Sequence, residues 1–381
     1  MQASAVVAPG RFELLDVPSP PLGRHDVRIR PAAVGVCGTD FHIFAGESNF
    51  HVDAGGRPIP FAEAPQILGH EITGTVVEAG DAVFDLAIGD RVVVDQGRSC
   101  RSERREPPCE YCASGHSHQC AHYAEHGITG LPGGFAEELV VPAVNAVAIR
   151  SDLPFEAAAL TEPLACVLHA LAMTAALRTR YRLAATADAR PVRTVVVLGA
   201  GPAGLLFTQV LRGRYGFDGP LIVGDPSPHK RALAEALGAI AVAPQRLEAT
   251  VMEQSSGDRA ELLVEATGSG SAFGEIPRLI RNQATVQLYG IGHGTAPLGL
   301  LTPLQWREAT LVTSVGASGG FDADGRPSVY REALALLERA EVRTDALRTH
   351  RYEGLRRVPD AFAGAHHEPG YVKGVVAVTS G

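Results

Sequence analysis

The 381-residue chain has no apolar run approaching the length of a membrane span. Its first residues, MQASAVVAPGRFELL, lack both a basic start and a long apolar core, so no secretory signal is expected there. Internal repeats and low-complexity tracts are missing, which excludes repeat architectures. There is no basic excess either: the formal net charge of −8 argues against nucleic acid or an anionic membrane surface as a partner. Cysteine is sparse and uneven, with six in all. Cys109, Cys112 and Cys120 cluster, Cys100 lies near them, and Cys37 and Cys166 stand apart. Without a secretory context such clustering favours metal over disulfides, and the expected compartment is a reducing cytoplasm. What remains is the composition of an ordinary globular protein, 45% hydrophobic and 20% charged, long enough for two domains with full cores.

The most informative stretch is Gly199-Ala200-Gly201-Pro202-Ala203-Gly204, directly after the apolar run Thr194–Leu198. A continuous β-branched run predicts a strand buried on both faces of a parallel sheet. The glycines allow a tight turn, a close approach to a pyrophosphate and close helix packing. The next segment, Ala203–Leu211, predicts a helix whose N-terminus offers N–H groups and a positive dipole end to phosphate. A second apolar strand, Leu221-Ile222-Val223, ends at Asp225, 21 residues past the last glycine. A carboxylate there accepts hydrogen bonds from ribose hydroxyls and repels a 2′-phosphate, so NAD⁺ is the expected cofactor. Lys230 follows five residues on, and Lys230-Arg231 could recruit a phosphate or form a plain surface basic pair.

Residues up to about 155 are rich in Gly, Pro and Val, with short alternating runs such as 26–30, 72–78 and 90–94. They predict a β-rich, barrel-like domain, with 47–66 as a long exposed loop. A helix is expected over Glu156–Leu177, then strands at 194–199, 220–225, 261–266, 285–290 and 311–315, with helices such as Ser227–Leu237 between them. Repeated βα units give a doubly wound parallel sheet. Thr267 and the turn Gly290-Ile291-Gly292 follow two of these strands, where ligands of open α/β sheets bind. The tail from about 320, with helix Ser328–Arg339 and the strand-like Gly374–Val378, is expected to return to the first domain. The expected domains are thus 1–160 with 320–381, and 161–319.

Cys37, in Gly35-Val36-Cys37-Gly38-Thr39-Asp40-Phe41-His42, and His70, in Gly69-His70-Glu71, supply the thiolate and imidazole that zinc prefers. Taken alone, each also reads as a core cysteine or a hydrogen-bonded histidine. Cys109, Cys112 and Cys120, spaced C-x₂-C-x₇-C, read as a structural zinc lobe.

GVCGTD, GHE, a cysteine cluster and then GxGxxG with a distal Asp resemble the zinc-dependent medium-chain alcohol and polyol dehydrogenases, in the sorbitol, threonine and glucose dehydrogenase-like branch. The resemblance covers nearly the whole chain. It implies an α/β protein, a GroES-like barrel catalytic domain beside a Rossmann sheet. It implies a catalytic zinc on Cys37 and His70, with Glu71 beside the metal as a direct or water-bridged ligand. The motif Thr161-Glu162-Pro163-Leu164 makes Glu162 the third protein ligand and leaves Cys166 in the core. The resemblance also implies that Asp40 orients the ligand imidazole, that Thr39 touches the substrate hydroxyl and His42 passes its proton onward through the nicotinamide ribose, and that Lys230 reaches the same ribose as Asp225. The family's fourth lobe cysteine corresponds here to Glu106; Cys100 is preferred as the replacement because thiolate binds zinc better, with His116, His118 and His122 as further candidates.

The implied activity is hydride transfer from a secondary hydroxyl of a polyol, sugar or aminocyclitol to NAD⁺. Alternatives are an aliphatic alcohol dehydrogenase, a metal-free NAD(P)H-binding protein related to quinone reductases, and a redox sensor using the cysteine lobe. A homodimer or homotetramer is expected, paired through an edge strand near Leu311–Val315.

Overall fold

A computed structural model of the protein describes residues 1–184, 188–294, 296, 298–317 and 319–378. Residues 379–381, the end of the expected catalytic segment, lie outside the described residues. The chain divides into one unit of 1–165 with 317–381 and another of 166–316.

In the first unit, short valine-rich runs pair into a mixed seven-stranded sheet. Its order is Ala146–Ala148, Arg91–Val94, Glu71–Ala79, Asp26–Val36, Lys373–Ala377, Arg348–Glu353, with Leu139–Pro142 also pairing on Asp26–Val36. A smaller sheet joins Arg11–Asp16, Gln2–Ala8 and Gln66–Ile67. Between them lies a core containing Val27, Ile29, Val34, Ile72, Val92, Phe135 and Val376. The long strand Asp26–Val36 alternates buried and less buried positions, as a half-solvated strand must. Its register decides the site. Gly35 pairs with Glu71 and Val36 with Gly374, so Cys37, Glu71 and Lys373 emerge at one end of three adjacent strands. Glycine at position 35 leaves room for that carboxylate, because a Cβ there would force Glu71 Oε2 to move.

The second unit is a six-stranded parallel sheet ordered Ile240–Val242, Leu221–Gly224, Val195–Leu198, Ala260–Glu265, Ile280–Leu288, Thr310–Thr313. This is the doubly wound dinucleotide-binding order. Helices Pro202–Arg212, Pro228–Ala236, Pro244–Gln254 and Gly270–Leu279 fall between the strands. Val195, Val196 and Val197 are fully buried, as a strand covered on both faces requires.

Two expectations need correction. The stretch 156–177 is not one helix; it forms Phe155–Ala158 and then Thr161–Ala176. Pro163 explains the break: it has no N–H for the carbonyl of residue 159, and its ring would clash there, so it is tolerated only in the first turn of a new helix. By length and composition Phe155–Ala176 could cross a membrane, yet 83% of its apolar window is buried within the protein. Nor is 47–66 a bare exposed loop. Phe61 and Gln66 are buried, Val52 bridges Pro58, and Asn49 donates to the Ile59 carbonyl while accepting from Gln66 Nε2 at 2.8 Å.

Candidate active site

Cys37 caps the helix Gly38–Ala45, and its N–H donates to Asp40 Oδ2 at 2.8 Å. Asp40 is wholly buried, and its other oxygen accepts from the Gly69 N–H and lies 3.3 Å from His70 Nδ1. His70 Nδ1 makes no hydrogen bond, so the Asp40 carboxylate acts on the ring through its charge. Burial disfavours the imidazolium, but Asp40 and then Cys37 together outweigh it and hold His70 well above its ordinary pKa. One ligand atom each from Cys37, His70 and Glu71 lies within 4.8 Å of the others.

Glu71 is fully buried and sits against Lys373, whose Nζ donates to Glu71 Oε1. Burial opposes the ammonium, yet Glu71, then Cys37, outweigh it and raise the Lys373 pKa. Glu71 Oε2 has no hydrogen-bond partner. A buried carboxylate oxygen left empty is costly unless a cation meets it. Sulfur, nitrogen and oxygen donors converging beside that oxygen fit Zn²⁺.

Glu162 is not part of this group. It opens the helix Thr161–Ala176 and accepts from Gln96 Nε2 at 3.1 Å, while Gln96 Oε1 accepts from the Tyr330 hydroxyl. Two further carboxyls share this neighbourhood. Burial pushes Asp95 up to about 7, with Glu125 and Glu162 adding to the shift. Burial also raises Glu125, which accepts from the Tyr123 hydroxyl at 3.2 Å. The sequence reading missed Asp95, Gln96, Glu125, Tyr330 and Lys373. Only Lys373 carried a signal: it is one of two lysines in the chain, and it interrupts the apolar run Tyr371–Val378. A cation in a buried strand needs a partner.

Thr39 and His42 lie three residues apart on one helix, and so share a face. His42 Nδ1 is 2.6 Å from Glu47 Oε2.

The sulfurs of Cys100, Cys109, Cys112 and Cys120 also lie within 4.8 Å of one another, and all four cysteines are free. Cys100 Sγ is 3.6 Å from Cys120 Sγ and accepts from the Cys109 N–H at 3.4 Å. Glu106, His116 and His122 are exposed and His118 is half-buried, and all four lie outside the group. Backbone N–H groups of Cys112 and Ala121 pull the Cys109 thiol down to about 6. Four converging thiols, one inclined to ionise, fit a closed structural zinc site.

In the second unit, Gly199 has φ +94°, and Gly201 caps the helix Pro202–Arg212 with Pro202 at its first position. A Cβ at Gly204 would strike the Gly199 carbonyl, so the motif's last glycine sets helix–strand packing. Asp225 is 6% exposed, and its oxygens accept from the N–H groups of Ala200 and Ser227, each at 2.8 Å. Each oxygen keeps a further lone pair. Lys230 N–H donates to Ser227 Oγ at 3.4 Å, and Arg231 holds the Asp225 and Pro226 carbonyls. The turns bearing Thr267, Gly290 and Gly292 are gathered around Glu265. It is fully buried, accepts from the N–H groups of Thr267, Gly268 and lies 2.7 Å from His293 Nε2.

Residues 23–151 match the alcohol dehydrogenase GroES-like domain family, and residues 202–339 match the zinc-binding dehydrogenase family. L-galactonate-5-dehydrogenase of Escherichia coli K12 is 30% identical over 88% of this chain and 86% of its own. L-threonine 3-dehydrogenase of Pyrococcus furiosus is 29% identical over 92% of this chain and 90% of its own. A solved structure from Sinorhizobium meliloti 1021, described as a zinc-binding dehydrogenase bound to NADP, is 28% identical. It has a TM-score of 0.78 and covers 99% of this chain and 98% of that one. With both halves matched in order and relatives aligned almost end to end, the chain belongs to the zinc-dependent medium-chain dehydrogenase family.

Proposed function

We propose that the protein oxidises a secondary hydroxyl of a polyol, sugar or aminocyclitol to a ketone, with NAD⁺ as hydride acceptor. The first unit is read as the catalytic domain and the second as the cofactor domain. The observation that carries this is the convergence of Cys37, His70 and Glu71 on one point, with Glu71 Oε2 buried and unpaired. These residues would hold a catalytic Zn²⁺, which supplies a Lewis acid for the substrate hydroxyl.

The chain's own residues do the rest. Asp40 sets its buried charge 3.3 Å from His70 Nδ1, and Lys373 offsets the Glu71 charge and keeps one of its oxygens occupied. Thr39 Oγ accepts the hydroxyl proton as it gives up its own, and His42, whose Nδ1 lies 2.6 Å from Glu47 Oε2, relays a proton outward. Glu162, held by Gln96, stands by as a further metal ligand or a partner for substrate hydroxyls. Relatives named for threonine and for galactonate support a secondary hydroxyl on a polar substrate.

Asp225 favours NAD⁺ over NADP⁺. Replacing Asp225 by Gly should lower the NAD⁺/NADP⁺ ratio of kcat/KM by about tenfold, and an unchanged ratio removes its ribose role. Cys100, Cys109, Cys112 and Cys120 are read as a structural zinc site. The edge strand Thr310–Thr313, with Leu311 and Val315 exposed, is read as the pairing strand of a homodimer or homotetramer. Free cysteines throughout fit a reducing cytoplasm. The deciding experiment screens polyols, sugars and aminocyclitols for NADH absorbance with and without a chelator. Chelator-sensitive turnover of one class is expected. Turnover that ignores the chelator overturns the zinc reading.

A further inference from the structure

The unit 166–316 has a second concavity that neither the metal nor the cofactor reading uses. The nucleotide residues follow the carboxyl ends of the parallel strands. The concavity, of about 560 Å³, lies at their amino ends, against the turns that precede Ala260–Glu265 and Thr310–Thr313 and the start of Ile280–Leu288. Its walls carry Arg180, Arg259, Arg281 and Arg307 with Tyr181 and Trp306. Four guanidiniums face two lining carboxylates, Asp258 and Glu308, on a protein whose net charge is −8.

The guanidiniums are not equivalent. Arg281 is already neutralised, 3.3 Å from Asp258 and 2.7 Å from the buried Glu261. Arg180 Nε donates to the Tyr181 hydroxyl at 3.3 Å and its guanidinium lies 5.7 Å from the ring centre, and among the described residues Arg307 donates to the carbonyls of Ile280 and Pro303. Neither Arg180 nor Arg307 has a carboxylate partner among the described residues. Glu308 is engaged by Gln283 Nε2 at 2.9 Å. Trp306, the chain's single tryptophan, is 81% exposed on the rim. Three side-chain-bearing residues of the rim, Arg259, Gln283 and Glu308, have left-handed backbone with φ of 66°, 60° and 49°. Such conformations are uncommon away from glycine and persist where the surroundings over-determine them.

We infer that this concavity binds a small anion with adjacent phosphate or carboxylate groups, which Arg180 and Arg307 grip as forks while Trp306 covers one face. Planar guanidiniums without an internal counter-ion suit bidentate oxyanion recognition. The site is independent of the dehydrogenase reading.

Trp306 is a built-in reporter. The protein saturated with NAD⁺ is titrated with pyrophosphate, separately with citrate, and with sodium chloride at matched ionic strength, following tryptophan emission. A saturable change with either polyanion, absent with chloride, is expected, and the stronger of the two names the group. The R180A/R307A double variant should bind about tenfold more weakly or worse, and R180K/R307K, which keeps the charge but loses the fork, should fall between. Both variants should keep wild-type turnover, which also reports that they fold. The proposal is overturned if neither polyanion gives a saturable change, if chloride reproduces it, or if the double variant responds like the wild type. It is equally overturned if emission follows protein concentration alone, for then a second copy covers Trp306.

Discussion

The two sulfur-bearing centres of this protein are built in opposite ways. The four-cysteine lobe is assembled from a single stretch, residues 100–120, by local turns. The Cys37 centre is drawn from the ends of three strands and depends on a lysine 302 residues from its partner. The lobe offers four like donors and leaves none empty, as a structural metal site requires. The other brings together three different donors, one fewer than a closed structural site, which leaves a position for substrate as a reactive metal site requires. Local assembly suits a clip that braces a loop. Assembly across a sheet ties chemistry to the integrity of the whole unit.

The sharpest test of that contrast removes one ligand from each centre. Cys37→Ala or His70→Ala should lower turnover by about a thousandfold or more, while NAD⁺ affinity measured calorimetrically stays near wild type. Near-normal turnover would end the assignment.

Lys373→Ala should come next. Breaking a buried ion pair by removing one member costs about 3–5 kcal/mol, measurable by denaturant unfolding. The loss should be larger in chelator-treated protein than in zinc-loaded protein, because a bound cation relieves the abandoned Glu71 carboxylate. Equal losses would separate Lys373 from the metal centre. Smaller again, Cys112→Ala should reduce zinc from two per chain to one by elemental analysis and lower Tm, with kcat largely kept. A collapse of kcat would deny the division of labour. Least of all, Glu106→Gln should leave zinc content unchanged, whereas Cys100→Ser should reduce it.

That last pair bears on what could be read in advance. The glycine turn, Asp225 and the parallel sheet were legible because each is specified by neighbours in sequence. Cys100 could be preferred but not chosen outright, since eight residues separate it from Cys109. What closes the distance is a tight fold, with Arg105 N–H donating to the Cys100 carbonyl and Glu103 N–H to that of Ser99. The break before Pro163 was also written in the sequence, through the missing N–H, and the expectation of one long helix overlooked it. Lys373 left one clue, a lysine inside an apolar run, but its partner Glu71, and the gathering of Asp95 and Glu125 near Glu162, were out of reach. Their roles arise only when distant strands come into register, and no local pattern encodes that.

The strand Lys373–Ala377 sits between Asp26–Val36 and Arg348–Glu353, so the first unit is a sheet with its keystone supplied late. During synthesis on the ribosome, the stretch 166–316 emerges whole and is free to fold first. The earlier segment must wait with an unfilled slot and an uncompensated acid beside its thiol. A nascent chain stalled before that strand should therefore display a finished nucleotide fold and an immature, protease-sensitive metal pocket, making the last step of folding also the step that arms the enzyme.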